Sequence, residues 1–157
     1  MDRRRFLAGI TCANGFLLSG CVQGGQVAPN TTSTDETTTT TENISMLEHA
    51  FSAEQIGSGN EVQTATISLG STTTVTGKTT GGTSCHTAKL KSATLNDDRL
   101  KVIVKARKRE DADTICTQGL VVIRYTATFE FTDDGPNEVV VYHDSLGETQ
   151  RIARTSK

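Results

Sequence analysis

Tryptophan is absent from this chain of 157 residues, aromatic residues account for only 4% of it, and it contains two prolines. Because so few aromatic side chains could stack on bases, nucleic acid is not an expected partner. Helical periodicity is missing as well, since no stretch keeps apolar residues at helical spacing for three turns. The abundant threonine and valine side chains are β-branched and favour strands instead.

Sequence motifs of catalysis are equally scarce. The chain has no glycine-rich phosphate loop, no Gly-x-Ser-x-Gly element and no paired-carboxylate pattern. Its histidines lack the close spacing of a metal site and lie in different predicted strands: His49, His86 and His143. We therefore predict no enzymatic activity, no catalytic residues, no cofactor and no metal site. Two weaker alternatives are a copper or zinc site that uses His86 with His143, and a calcium site at three acidic residues: Asp133, Asp134 and Asp144.

An export signal is what the chain does contain at its start, in residues 1–20 (MDRRRFLAGITCANGFLLSG). Arginines precede a short apolar region that ends in small residues, which is typical of a cleaved signal peptide. The region is too short and too polar for a spanning helix, which needs about 20 apolar residues. Arg3, Arg4, Phe6 and Leu7 resemble the twin-arginine motif, which directs folded proteins across the membrane. The export machinery is thus an expected partner.

The last residues of this segment, Leu-Ser-Gly-Cys, resemble a lipobox, whose cysteine is Cys21. In a lipobox the cysteine receives a lipid and becomes the mature N-terminus. The resemblance implies processing by the lipoprotein machinery and attachment to the cell membrane, on its extracytoplasmic face, through a lipid anchor.

A threonine-rich stretch occupies residues 21–45. It has too few apolar residues to offset the entropy cost of folding, so we predict a disordered stalk. A flexible chain of this length has a mean reach of about 25–30 Å. Asn30 and Asn43 lie in Asn-x-Ser/Thr patterns and are candidate glycosylation sites.

Four cysteines are present, and Cys12 and Cys21 belong to the signal and the lipid anchor. Cys85 and Cys116 remain in the exported part. Two thiols in an oxidising compartment should pair, and we predict a disulfide bond between them.

Residues 46–157 have the size of one small domain, and alternation with period two recurs along them. The clearest strand is GLVVIRYTATFEF, in which alternate residues from Val121 to Phe131 are apolar. HTAKLKSATL and RLKVIVKAR predict a hairpin with a basic outer face, and EVVVYHD is expected to return as a second hairpin beside the long strand. About seven strands predict an antiparallel β-sandwich of immunoglobulin-like architecture, with a small β-barrel as the alternative.

The stretches VTGKTTGGTSCHTAKLKSATLNDDRLKVIVKAR and ICTQGLVVIRYTATFEFTDDGPNEVVVYHD resemble a domain found in lipoproteins of halophilic archaea. The resemblance rests on the glycine-rich entry to Cys85-His86, the Cys-x-Gln before the long strand and its Tyr-x-Ala-x-Phe stripe. Relatives often carry a second cysteine pair, with one cysteine near the position of Ser58 and the other at the position of Gly119. That family has no assigned activity, so the resemblance implies a fold and a location but no chemistry.

A basic run lies on the predicted hairpin and its exit: Lys89, Lys91, Lys101, Lys105, Arg107, Lys108 and Arg109. An anionic envelope component is a candidate partner for it, although acidic residues nearby also fit an ordinary solvated face. The sequence therefore predicts a lipid-anchored cell-surface protein that acts as a binding or envelope-interaction module. The alternatives are a metal-handling or accessory lipoprotein and, less favoured, an enzyme.

Overall fold

The computed structural model describes residues 44–112 and 115–157, and all their regular structure is β-strand. The eight strands are β1 (Met46–Ser58), β2 (Thr64–Ser68), β3 (Thr72–Thr83), β4 (His86–Asn96), β5 (Arg99–Lys108), β6 (Gln118–Phe131), β7 (Glu138–Ser145) and β8 (Glu148–Ser156). Among these residues, no helix is long and apolar enough to cross a membrane. The predicted export-signal residues Arg3, Arg4, Phe6 and Leu7, the lipid-anchor residue Cys21 and the candidate glycosylation sites Asn30 and Asn43 lie outside the described residues.

Two four-stranded sheets pack face to face, with strand orders β1-β6-β3-β2 and β4-β5-β7-β8. We refer to them as the first and second sheets. All pairs are antiparallel except β5 with β7, which run parallel. The predicted β-sandwich is confirmed, and the structure is not a closed barrel.

The apolar stripe of β6 lies at the centre of the core, as its alternation predicts. Val121, Ile123, Tyr125, Ala127, Phe129 and Phe131 are buried, and the residues between them face outward. Across the interface they meet the inward residues of β5 and β7, which include Leu100, Val102, Val139 and Val141. A single contiguous core therefore joins the two sheets.

The hairpin of β4 and β5 is confirmed, but the second predicted hairpin is wrong. β6 and β7 belong to different sheets, and β7 lies between β5 and β8. The reason is visible in β7 itself, where Val139, Val140 and Val141 are all buried. The outward-pointing Val140 is buried because β5 and β8 flank β7 on either side, so the apolar run fits a strand in the middle of a sheet. β8 was not predicted, because Ile152 and Ala153 are its only apolar residues.

The predicted disulfide bond joins Cys85 to Cys116, with their Cα atoms 5.5 Å apart. Cys85 directly precedes β4 in the second sheet, and Cys116 lies two residues before β6 in the first. Next to the bond, the Ser84 amide donates to the Thr117 carbonyl over 3.1 Å. The disulfide therefore links the two sheets at one end of the sandwich. For a separation of 31 residues the chain-entropy contribution is about 3.5–4 kcal/mol.

Candidate functional site

Eight cationic side chains lie on the outer surface of the second sheet, which we call the basic face. Successive residues of a strand point to opposite faces of the sheet. Because the valines of β5 and β7 point into the core, the residues next to them along each strand point to the outer surface. Cross-strand register then brings cations from three strands together: Lys89, Lys91, Arg99, Lys101, Lys105, Arg107, Arg151 and Arg154. Five of these belong to the basic run of the sequence. Of the other two members of that run, Lys108 pairs with inward-facing His86, and Arg109 follows the end of β5.

Three carboxylates share this surface, and each holds two cations. Asp144 lies 2.8 Å from the Lys91 ammonium and 3.7 Å from that of Lys105. Glu138 lies 2.7 Å from both Arg99 and Arg154.

Glu110 pairs with Lys89 at 3.3 Å and also with Arg107. The hydrogen bond from Lys89 is the main cause that lowers the pKa of Glu110 below its usual value, and that from Lys91 lowers the pKa of Asp144. With eight cations and three carboxylates, the basic face has five positive charges in excess, whereas the whole chain carries a net charge of −2.

An aromatic ring lies within the basic face. Tyr142 is partly exposed, and the Lys101 ammonium lies 5.1 Å from the centroid of its ring. Arg151 stands opposite Tyr142 in the register of β7 and β8. Lys101 and Arg151 make no salt bridge to a carboxylate among residues 44–112 and 115–157, so both remain available to an anion.

A second feature is a chain of hydrogen bonds between the sheets, buried at Tyr125 and His143 and part-buried at Gln63, which we call the polar network. Tyr125 Oη lies 2.7 Å from Nε2 of His143, and Nδ1 of the same ring lies 2.6 Å from Gln63 Oε1. Thr79 Oγ1 donates to Gln63 Oε1 over 3.2 Å, and Gln63 Nε2 donates to Ser145 Oγ over 2.6 Å. Because Gln63 Oε1 only accepts, His143 carries its proton on Nδ1 and accepts from Tyr125 at Nε2.

Burial determines the protonation states in the polar network. The His143 ring is 1% exposed, and desolvation lowers its pKa to about 4. Burial also raises the pKa of Tyr125 above its usual value. At neutral pH both groups are therefore uncharged. This agrees with a chain in which Tyr125 donates to His143 and His143 donates to Gln63.

Gly77 makes room for this arrangement. A Cβ atom at position 77 would overlap the Thr64 carbonyl oxygen and the Tyr125 hydroxyl. Any larger residue would therefore displace the Tyr125 hydroxyl, and with it the hydrogen bond to His143.

The polar network reaches the surface at a crevice that we call the edge pocket. It lies where β2 and β8, edge strands of the two sheets, come together. Gln63, His143 and Ser145 line its inner part, and the cavity measures about 250 Å³. Its rim is formed by four exposed residues: Glu61, Leu146, Glu148 and Gln150.

The two weaker metal alternatives find no support in these positions. Both ring nitrogens of His143 are engaged in hydrogen bonds, and Nδ1 of His86 lies 2.8 Å from Thr83 Oγ1. Asp133 and Asp134 precede β7 while Asp144 lies near its end, about 20 Å further along at 3.3 Å per residue. No group of three or more histidine, cysteine and acidic residues in the described ranges could hold a metal ion.

Sequence reasoning did not find the polar network or the edge pocket. The alternation of β6 predicts only that Tyr125 belongs to the core stripe, and no pattern around Gln63 points to a site. A signal did exist, because His143 continues the inward parity of Val139 and Val141 and so predicts a buried histidine.

Comparison with known proteins returned no match, either to a protein-family model, to a curated protein or to a solved structure. Function is therefore inferred from the basic face, the polar network and the sequence signals.

Proposed function

We propose that the protein is a lipid-anchored module of the extracytoplasmic cell surface, and that its basic face binds an anionic component of the envelope. The lipobox at Cys21 and the twin-arginine pattern support the location. The excess of five positive charges on one face of a net-negative chain is the single observation that carries the binding function. Because the positive charges are concentrated on one face, that face can attract a polyanion although the chain as a whole is negative.

The ion pairs on the basic face suit exchange with an incoming anion. Arg99 and Arg154 share Glu138, and Lys91 and Lys105 share Asp144, so each carboxylate satisfies two cations only in part. Exposed ion pairs contribute about 0–1 kcal/mol each. A ligand with several carboxylate or sulfate groups can therefore compete for these cations at little cost.

An acidic polysaccharide fits better than a lipid headgroup. A flexible stalk of residues 21–45 with a mean reach of about 25–30 Å would let the domain extend several Debye lengths from the membrane surface, since that length is about 8 Å at physiological salt. At this distance the charge of the lipid headgroups is screened, whereas envelope glycans extend outward to the domain. Tyr142 and Lys101 would lie at the centre of the contact.

The test measures binding of the mature protein to a carboxylated polysaccharide, polygalacturonate, over a series of salt concentrations. We expect the affinity to fall steeply with salt, and a Lys101→Glu/Arg151→Glu variant to bind about tenfold or more weakly. Lys78→Glu/Arg124→Glu, which makes the same charge change on the outer face of the first sheet, should bind like the wild type. Equal losses in both variants, or binding that is insensitive to salt, would contradict the proposal. Vesicles with anionic lipids form a separate arm, and a higher affinity for them would favour the headgroup.

A further inference from the structure

We propose that the edge pocket binds a small amino sugar. The protonated amine of the sugar would donate hydrogen bonds to the carboxylates of the rim, and its hydroxyl oxygens would accept hydrogen bonds from the inner wall. This site is separate from the basic face and does not depend on the function proposed for it.

The inner wall of the pocket is held in place by the polar network. The Gln63 carbonyl oxygen receives hydrogen bonds from Thr79 and His143, and its amide nitrogen donates to Ser145. These contacts determine the orientation of the amide, so the wall does not need to rearrange when a ligand enters. Binding to a preformed surface avoids part of the entropy cost of ordering side chains.

Hydrogen-bond donors at this wall are left unused. Ser145 is 7% exposed, and its oxygen accepts from Gln63. The Ser145 hydroxyl also has a hydrogen to donate, and no acceptor for it is found within the described ranges. The Gln63 amide nitrogen has a second hydrogen as well, with no acceptor of its own there. The wall is therefore matched to a ligand that presents oxygen acceptors, such as sugar hydroxyls.

The rim has the opposite character. It carries two carboxylates, Glu61 and Glu148, and no residue that lines the pocket is a lysine or an arginine. His143 is uncharged at neutral pH, so it does not balance them. Glu148 accepts a hydrogen bond from Gln150 over 3.0 Å, but neither carboxylate forms a salt bridge in the described part of the chain. A protonated amine on the ligand would provide the missing charge.

Leu146 adds an apolar surface at the mouth. It is 47% exposed and adopts a left-handed conformation, with φ of 52°, in the two-residue turn between β7 and β8. Asparagine and glycine are the usual residues there, and a leucine costs about 1 kcal/mol or more. The strained backbone places an apolar side chain beside the pocket, where it can pack on the C–H groups of a sugar ring. A volume of about 250 Å³ accommodates one such ring.

The test titrates the mature protein with D-glucosamine at pH 7 and follows the Leu146 methyl and Gln150 amide resonances by NMR. D-glucose, which lacks the amine, and ethylamine, which lacks the ring, serve as comparison ligands. We expect saturable shifts with glucosamine and binding at least tenfold weaker for both comparisons. A Glu61→Gln/Glu148→Gln variant should lose tenfold or more in affinity for glucosamine. Both residues are exposed, and an unchanged melting temperature would show that the variant is folded.

The matched control is Glu48→Gln/Glu130→Gln, which removes two carboxylates from the outer face of the first sheet. It should bind glucosamine as the wild type does. The proposal is overturned if glucosamine leaves the pocket resonances unmoved. It also fails if glucose or ethylamine binds as well as glucosamine, or if the control variant loses as much affinity as the pocket variant.

Discussion

Acidification should destabilise the domain through one buried side chain, His143. Its pKa is 6.5 in the unfolded chain and about 4 in the folded protein. Between these values the unfolded state binds a proton and the folded state does not, so lowering the pH favours unfolding. The contribution is fully present above about pH 6.5 and is lost as the pH falls towards 4.

The size of the effect follows from the same two values. One pKa unit corresponds to about 1.36 kcal/mol, and the unfolded histidine is already half protonated at pH 6.5, so the free energy of unfolding should fall by about 2 kcal/mol from pH 6.5 to 4.5. That is a large share of the 5–15 kcal/mol that stabilises a typical domain. The carboxylates Glu110 and Asp144, whose pKa values are lowered, add their own losses mainly below this window.

Urea unfolding at several pH values, followed by circular dichroism, gives the free energy of unfolding at each. A His143→Phe variant should be less stable at pH 7, because it removes the hydrogen bond to Gln63 and leaves the buried Tyr125 hydroxyl without a partner. It should also lose the steep dependence between pH 6.5 and 4.5. A His49→Gln variant, which changes an exposed histidine of β1, should keep the wild-type dependence. If wild type and His143→Phe show the same slope, His143 is not held neutral between the sheets and the inferred hydrogen-bond directions are wrong.

Three further outcomes are expected. Cys21→Ser should release the domain into the medium or stall its processing, as fractionation of membranes and medium would show; a membrane-bound product of normal mass would contradict the lipid anchor. Replacing Arg3 and Arg4 by lysine should block export without reducing synthesis, and unchanged surface display would point to the general secretory route. Cys85→Ala/Cys116→Ala should lower the free energy of unfolding by about 2–5 kcal/mol in urea titrations, whereas an unchanged midpoint would show that the bond adds no stability.

The fold class was predictable because the alternation of apolar and polar residues within one strand shows which of its side chains face the core. In β6 every second residue from Val121 to Phe131 is apolar, and all of these are buried. Asn96 at the end of β4 and the two aspartates that follow it likewise predict a tight turn, and Asp97 there adopts a φ of 51°. Such patterns lie within a single strand or turn, so they can be recognised without knowing how the rest of the chain folds.

The candidate sites were predictable only in part. The basic run on β4 and β5 was visible, but Arg151 and Arg154 come from β8, which has too few apolar residues to be recognised as a strand. The polar network depends on Gln63 meeting His143, two residues separated by 80 positions. Neither has a local pattern that points to the other.

Strand alternation and the cysteine count predict an all-β domain, a sandwich rather than a barrel, with a Cys85–Cys116 bond, and the first residues predict export and lipid attachment. Apart from the β4–β5 hairpin, the neighbours of each strand are known only from the folded structure. There β7 lies between β5 and β8 rather than beside β6, which assembles the basic face on the outer side of the second sheet. It also brings His143 of β7 to Gln63, which precedes the edge strand β2 of the first sheet. The physical reason is that side-chain alternation is a property of a single strand, whereas strand pairing depends on burial and hydrogen bonding between segments distant in the chain.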